Sequence, residues 1–312
     1  MSDWDRRSFL GSSAGAAAAG LATQLATAAE SSPAAADVGD EALPPPPRVT
    51  LGATGVETTR LAQGTGVSGG NRQSNQTRMG FEGLVKLFHH AYDRGIRFFD
   101  LADLYGTHLY FREALRTIAR DEVAILTKVW WRYDGPEDET ADAARVHALR
   151  AAVERFRHEL TTDYLDVVLL HCLTDKRWTE QMTPYMETLD ELKEAGRIKA
   201  VGVSCHDFGA LQTAAASPWV DVILARINPK GVRMDASTDE VVAVLRQAKA
   251  AGKAIIGMKI FGEGQLADQR EACMQFAQGL EFLDAMTIGF EKPAQIDDVL
   301  RLMAKYPAAR QA

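Results

Sequence analysis

Eight short apolar runs, at residues 61–67, 96–102, 123–129, 165–172, 198–205, 220–227, 254–261 and 283–290, alternate with segments of helical periodicity. The runs are too short for helices, most are rich in Val and Ile, and they show little polar alternation. Strands with that pattern are covered on both faces, as in a parallel sheet. The intervening helical segments include 81–94, 110–120, 141–159, 182–195, 238–251 and 293–305. Gly95, Gly196 and Gly252 stand where a helix ends, and Pro293 suits a first helical turn. Eight strand and helix units predict an α/β fold, a (β/α)8 TIM barrel. On pattern alone an open doubly wound sheet is the alternative.

Composition places few other limits. The 312 residues are 46% hydrophobic and 25% charged, with a net charge of −7, which argues against disorder and against a chain built to hold nucleic acid or anionic lipid. The first 36 residues, rich in Ala, do not read as part of the fold. Asp5-Arg6-Arg7-Ser8-Phe9-Leu10 precedes an uncharged stretch, and Ala26-Thr27-Ala28 offers small residues to a signal peptidase. This resembles a twin-arginine signal. The resemblance implies a signal peptide over 1–29, recognition by the twin-arginine translocation machinery, and a destination in the periplasm or cell envelope. The alternative, a buried or spanning Ala-rich helix, is weakened by Gly15 and Gly20 and by the scarcity of Leu and Phe. Residues 30–48, with four consecutive prolines from Pro44 to Pro47, read as an Ala/Pro-rich linker. Residues 49–312 then form one barrel domain, expected to be monomeric.

In such a barrel the reacting groups sit at the C-terminal ends of the strands. Asp100 lies near the end of the second run, Tyr105 in the loop after it, Lys128 at the end of the third and His171 at the end of the fourth. An acid, a phenol, an amine and an imidazole suit proton delivery to a carbonyl oxygen while hydride reaches its carbon. A phenol of ordinary pKa about 10 is a weak acid at neutral pH, so Lys128 is expected to stabilise its phenolate. Asp100 would keep Lys128 charged and in place, and His171 would orient the substrate oxygen.

These residues and their surroundings resemble the aldo/keto reductase superfamily. The likeness rests on Leu51-Gly52-x-Thr54-Gly55, Gly64-Thr65-Gly66, Phe99-Asp100-x-Ala102-x-x-Tyr105-Gly106, Thr127-Lys128, Asp163-Tyr164-x-Asp166 leading to His171, and Gly196-Arg197-Ile198-x-x-Val201-Gly202-Val203-Ser204. It implies a catalytic tetrad of Asp100, Tyr105, Lys128 and His171, with Tyr105 as acid/base. It also implies NADP(H), or NAD(H), held without a Rossmann domain, and the chain has no Gly-x-Gly-x-x-Gly between a strand and a helix. Cofactor contacts carried over by the resemblance are Ser204, Asn228, Lys259, Gly262, Gly264, Lys292 and Gln295. Trp130 and His206 are expected at the substrate pocket, and the substrate is expected to be a small carbonyl compound or alcohol.

The cofactor half departs from the family pattern. Cys205 stands at a frequent Asn position, Leu224 and Ile227 replace the Gln and Tyr expected against the nicotinamide, and Val299 stands at another frequent Asn position. These departures motivate the alternative of a cofactor-drifted barrel, acting as a binding protein or as a metal-assisted site around His171, Cys205 and His206. His171-Cys172 and Cys205-His206 can be read as a disulfide or a soft-ligand metal site. Adjacent residues on a strand point to opposite faces, so packing is the favoured reading and no metal is expected.

Overall fold

The computed structural model describes residues 43–131 and 142–309. The expected signal at 1–29 and most of the linker lie outside the described residues.

A short antiparallel hairpin comes first, β1 (Arg48–Thr50) with β2 (Glu57–Thr59). Eight strands follow: β3 (Leu61–Gly64), β4 (Phe98–Asp100), β5 (Ala124–Val129), β6 (Leu165–Leu173), β7 (Ile198–Cys205), β8 (Val222–Arg226), β9 (Ala254–Met258) and β10 (Ala285–Ile288). Each falls inside or on one of the eight apolar runs. All neighbours pair in parallel, and β10 returns to β3, so the sheet is a closed barrel and the open-sheet alternative falls.

The helices between them are α1 (Asn75–Arg78), α2 (Phe81–Asp93), α3 (His108–Ala114), α4 (Asp142–Leu160), α5 (Trp178–Gln181), α6 (Thr183–Glu194), α7 (Phe208–Ala216), α8 (Thr238–Ala250), α9 (Arg270–Gly279) and α10 (Pro293–Lys305). Gly95, Gly196 and Gly252 end α2, α6 and α8 at φ of +85°, +70° and +86°. After α2 the Gly95 N–H reaches the Tyr92 carbonyl at 2.9 Å and the Ile96 N–H reaches that of Ala91 at 3.0 Å. That double closure satisfies carbonyls the helix leaves open and turns the chain into the next strand. α7 has no helical signature in the sequence because Gly-Ala-Leu-Gln-Thr-Ala-Ala-Ala marks no distinct polar face.

Two apolar layers hold the barrel. Phe98, Leu126, Val167, Leu169, Leu224 and Ile256 fill its axis, while a larger cluster lies between sheet and helices. Leu51 and Val56 of the hairpin loop join the axial layer and plug the N-terminal end. Gly52 makes that seat possible: at φ +49°, a Cβ there would fall 2.5 Å from the Ala254 backbone nitrogen. With one end plugged, access is from the end where the strands terminate.

Candidate active site

Strand alternation carries the axial layer upward to the mouth. Two residues beyond Phe98, Leu126, Leu169 and Leu224 come Asp100, Lys128, His171 and Arg226. The same inward step on β7 and β10 brings Ser204 and Thr287. Polar side chains thus cap an apolar stack as a consequence of period two.

Lys128 is 1% exposed and Asp100 6%. The Lys128 ammonium bonds Asp100 Oδ1 and donates to the Leu101 carbonyl at 3.0 Å. The other carboxylate oxygen accepts from Thr287 Oγ1 at 2.9 Å, and Thr65 Oγ1 donates to the Asp100 carbonyl at 2.8 Å. A buried ion pair needs its remaining valences filled in this way. Thr287 and Thr65 were not among the sequence-derived site residues, although counting inward positions from Ala285 reaches Thr287.

Tyr105 sits in a tight turn after β4, and Gly106 closes the turn at φ +67°. Its ring packs against two glycines. A Cβ at Gly66 would lie 2.4 Å from the ring and one at Gly69 2.6 Å. The hydroxyl is 3.2 Å from His171 Nε2, and Lys128 Nζ is 4.9 Å from the ring centroid. Asp100, Lys128 and His171, predicted at strand ends, and Tyr105, predicted in the loop after the second run, therefore come together.

Their electrostatics differ from expectation in one respect. Burial, and then the nearby Asp100 carboxylate and Cys172, push the Tyr105 phenol well above its ordinary value. Lys128 was expected to lower it, but its charge is engaged by Asp100 and the Leu101 carbonyl. His171 moves the opposite way: burial, followed by the Lys128 ammonium and then His206 and Lys259, lowers its pKa well below the ordinary value and keeps the imidazole neutral, and its Nδ1 has no hydrogen-bond partner among the described residues. The tyrosine keeps its proton and the histidine stays uncharged.

Trp130 stands edge-on to His171 with centroids 5.7 Å apart, and Trp131 Nε1 donates to the His171 carbonyl at 2.9 Å. At Cys172 the strand departs from simple alternation. A bulge lies between Leu170 and Leu173, and Cys172 takes φ +59°. Its N–H donates to Ser204 Oγ at 2.8 Å, and its Sγ lies 3.5 Å from His206 Nε2. Cys172 thus meets His206 beside His171, where the alternation argument had separated them. Cys205 faces the outer apolar cluster, and none of the three cysteines is disulfide-bonded. Burial, then Arg226, Lys259 and Lys128, lowers the His206 pKa to about 3. Among the described residues no three His, Cys, Asp or Glu side chains are grouped to hold a metal.

The expected cofactor residues divide by what already engages them. Asn228 is buried and braces its own loop: Nδ2 donates to the Val232 and Lys259 carbonyls at 2.7 and 3.2 Å, and Oδ1 accepts from the Lys230 and Val232 N–H groups at 3.1 and 3.2 Å. Gln295 Oε1 caps α10, accepting from Glu291 N–H at 2.8 Å and Lys292 N–H at 3.1 Å. Lys292 is exposed at that helix N-terminus. Lys259 pairs with Glu263 in the turn Gly262–Gly264, and Arg233 Nε reaches the same carboxylate at 3.1 Å. Gly262 and Gly264 have φ of +56° and +89°.

The departures in sequence acquire a packing explanation. Leu224 belongs to the axial layer, Ile227 packs outward against the helices, and Val299 lies buried on α10. Both Leu224 and Ile227 are buried. Arg226, absent from the sequence-derived set, occupies the inward position instead. It pairs with Asp235 at 2.9 Å, and its Nε is buried without a hydrogen-bond partner among the described residues.

Residues 60–305 match the Aldo/keto reductase family. Among curated proteins, the chain is 28% identical over 205 residues to a putative aryl-alcohol dehydrogenase of Saccharomyces cerevisiae, covering 56% of this chain and 57% of that one. It is 29% identical over 163 residues to a probable aldo-keto reductase of Glycine max, covering 50% and 44%. The match spans about half the length of these curated relatives. Among solved structures, a putative aldo-keto reductase from Pseudomonas aeruginosa superposes with a TM-score of 0.66 at 23% identity, covering 83% of this chain and 94% of that one. An aldo-keto reductase from Bacillus halodurans gives 0.64 at 15%, covering 85% and 92%. These two likenesses concern the fold.

Proposed function

The chain belongs to the aldo/keto reductase family, and from that premise we propose that it is an NAD(P)H-dependent oxidoreductase interconverting an aldehyde, ketone or sugar carbonyl with its alcohol. The carrying observation is the 3.2 Å contact of the Tyr105 hydroxyl with His171 Nε2, backed by the buried Lys128 and Asp100 pair.

The carbonyl oxygen would lie against the Tyr105 hydroxyl and the His171 imidazole. A neutral imidazole orients that oxygen without a charge of its own. As electron density builds on the oxygen, the proton passes to it from Tyr105 Oη. Lys128 then has a second role, because its ammonium faces the ring on which a phenolate would appear. Asp100, Thr287 and the Leu101 carbonyl keep that ammonium in place. In the alcohol direction the same phenolate would take the proton back.

The mouth also suits a polyanionic dinucleotide. Among the described residues the ion pairs of Arg226, Arg233 and Lys259 are with Asp235 and Glu263, three cations on two carboxylates in a chain of net charge −7. Gly264 has nothing within 4 Å of an added Cβ, so backbone can approach a ligand there. Lys259, Gly262 and Gly264 would hold the pyrophosphate side, and Lys292 with the N-terminus of α10 the adenosine phosphate. Ser204 would meet the nicotinamide end. When bound, the cofactor supplies or accepts the hydride. We favour NADP(H), because Lys292 adds a cation at a helix N-terminus. Fluorescence titration with NADPH and NADH side by side should give saturable binding, tighter for NADPH; no saturable binding of either overturns the reading.

For the location, we propose export through residues 1–29, supported by Arg6-Arg7-Ser8-Phe9-Leu10. Replacing Arg6 and Arg7 together by Lys should leave the full-length protein in the cytoplasmic fraction of a bacterial host. An unchanged envelope fraction refutes export by this route.

A further inference from the structure

Beside the Tyr105 turn lies a cavity of about 570 Å³ that the tetrad does not use. Its apolar wall is formed by Trp130 and by Leu149 and Ala152 of α4, and its polar end by Arg72, Asp103 and Arg155. Asp103 is buried, 4% exposed, and both of its oxygens are taken. Arg72 Nη2 reaches Oδ1 at 2.9 Å and Arg155 Nη2 reaches Oδ2 at 2.9 Å. Arg155 is further held by Glu159 through Nη1 at 2.8 Å. Among the described residues Arg72 has no second acidic partner, and its side chain is 49% exposed. Among the described residues, its Nε and Nη1 make no hydrogen bond. The cavity is thus lined by two guanidiniums and one carboxylate already shared between them, with donors left over on Arg72.

The backbone sets where those donors stand. Asn71 and Arg72 are consecutive residues in the left-handed region, at φ +51° and +58°. Such strain persists only where surrounding contacts enforce it. Here the Arg72 N–H donates to the Leu104 carbonyl at 2.9 Å, and a Cβ at Gly106 would fall 2.3 Å from the Arg72 carbonyl oxygen. The segment carrying Arg72 is therefore seated on the turn that carries Tyr105. Trp130, edge-on to His171, lines the same cavity as the Arg72 guanidinium.

Resting on the oxidoreductase reading, we propose that this cavity is a subsite for a carboxylate on the substrate, and that the preferred substrates are carbonyl compounds with a flat, apolar body ending in a carboxylate. The carbonyl meets Tyr105 and His171, the body lies along Trp130, and the carboxylate takes the open edge of Arg72. A planar guanidinium offers parallel donors that match a carboxylate and that a neutral group of the same shape does not use.

The test compares 4-formylbenzoate with its methyl ester, which keeps the shape and removes the charge. With NADPH, kcat/KM should favour the acid by roughly tenfold or more, mainly through KM. The ratio should fall toward one in Arg72→Met, be partly kept in Arg72→Lys, and shrink as salt is raised. Using the ratio separates charge recognition from any general damage to the Tyr105 turn. Quenching of tryptophan fluorescence by the two compounds reads the subsite without turnover. Selective quenching by the acid, lost in Arg72→Met, supports the subsite even if neither aldehyde is reduced, in which case the oxidoreductase reading alone fails. Equal or weaker binding and turnover of the acid overturns the inference.

Discussion

Replacing Tyr105 by Phe is expected to lower kcat/KM for carbonyl reduction by about 10²- to 10⁴-fold, the usual range for loss of a positioned general acid. The phenylalanine ring can keep the seat formed by Gly66 and Gly69, since that seat contacts the ring. NADPH titration and thermal unfolding should therefore change little. The loss should fall mostly on kcat, because the proton is needed as charge develops on the oxygen. Wild-type kcat should also be flat between about pH 6 and 8: the Tyr105 phenol lies well above its ordinary value and the His171 imidazole well below, so neither titrates in that window. Full activity in Tyr105→Phe, or a wild-type profile with a limb near the ordinary histidine value, would remove Tyr105 from the acid role or His171 from the neutral one.

Replacing Lys128 by Met should destabilise the fold by about 3–5 kcal/mol, because it leaves a buried carboxylate without its counter-charge. Asp100 is 6% exposed, and of its side-chain hydrogen bonds among the described residues the one from Thr287 would then remain. Urea unfolding followed by circular dichroism would measure the loss. The double replacement Lys128→Met with Asp100→Leu removes both charges and should recover much of the stability. It should not recover turnover, since no ammonium then faces the Tyr105 ring. A Lys128→Met protein as stable as the parent would mean that the barrel interior tolerates the lone carboxylate and that the pair has no structural role.

How far such a site is visible in sequence depends on the range of the physics. The apolar runs report strands because burial on both faces requires Val, Ile and Leu in succession, whatever the partner strand. Only three residues of the run at 96–102, Phe98–Asp100, pair as strand, since pairing also depends on the neighbour's register. Asp100, Lys128 and His171 were legible as polar residues ending apolar runs. Thr287 was legible in principle by counting inward positions along β10. Cys172 was not: a bulge changes direction within one residue, and nothing in Leu-Leu-His-Cys-Leu announces it. Nor was the engagement of Asn228 by its own loop, which depends on where Val232 and Lys259 return in space.

The sequence by itself determined the eight strand and helix units and the order of the four reactive groups at and just after the strand ends. Each follows from burial, helix termination or period-two alternation, which act between residues near one another in the chain. Tertiary structure alone decided the charge states and the wall opposite Tyr105. Burial and the Asp100 carboxylate raise the phenol, and Trp130, Arg72 and Arg155 meet across a cavity only after β3, β5 and α4 have packed. Desolvation and convergence of this kind depend on the three-dimensional environment, so no local pattern in the chain encodes them.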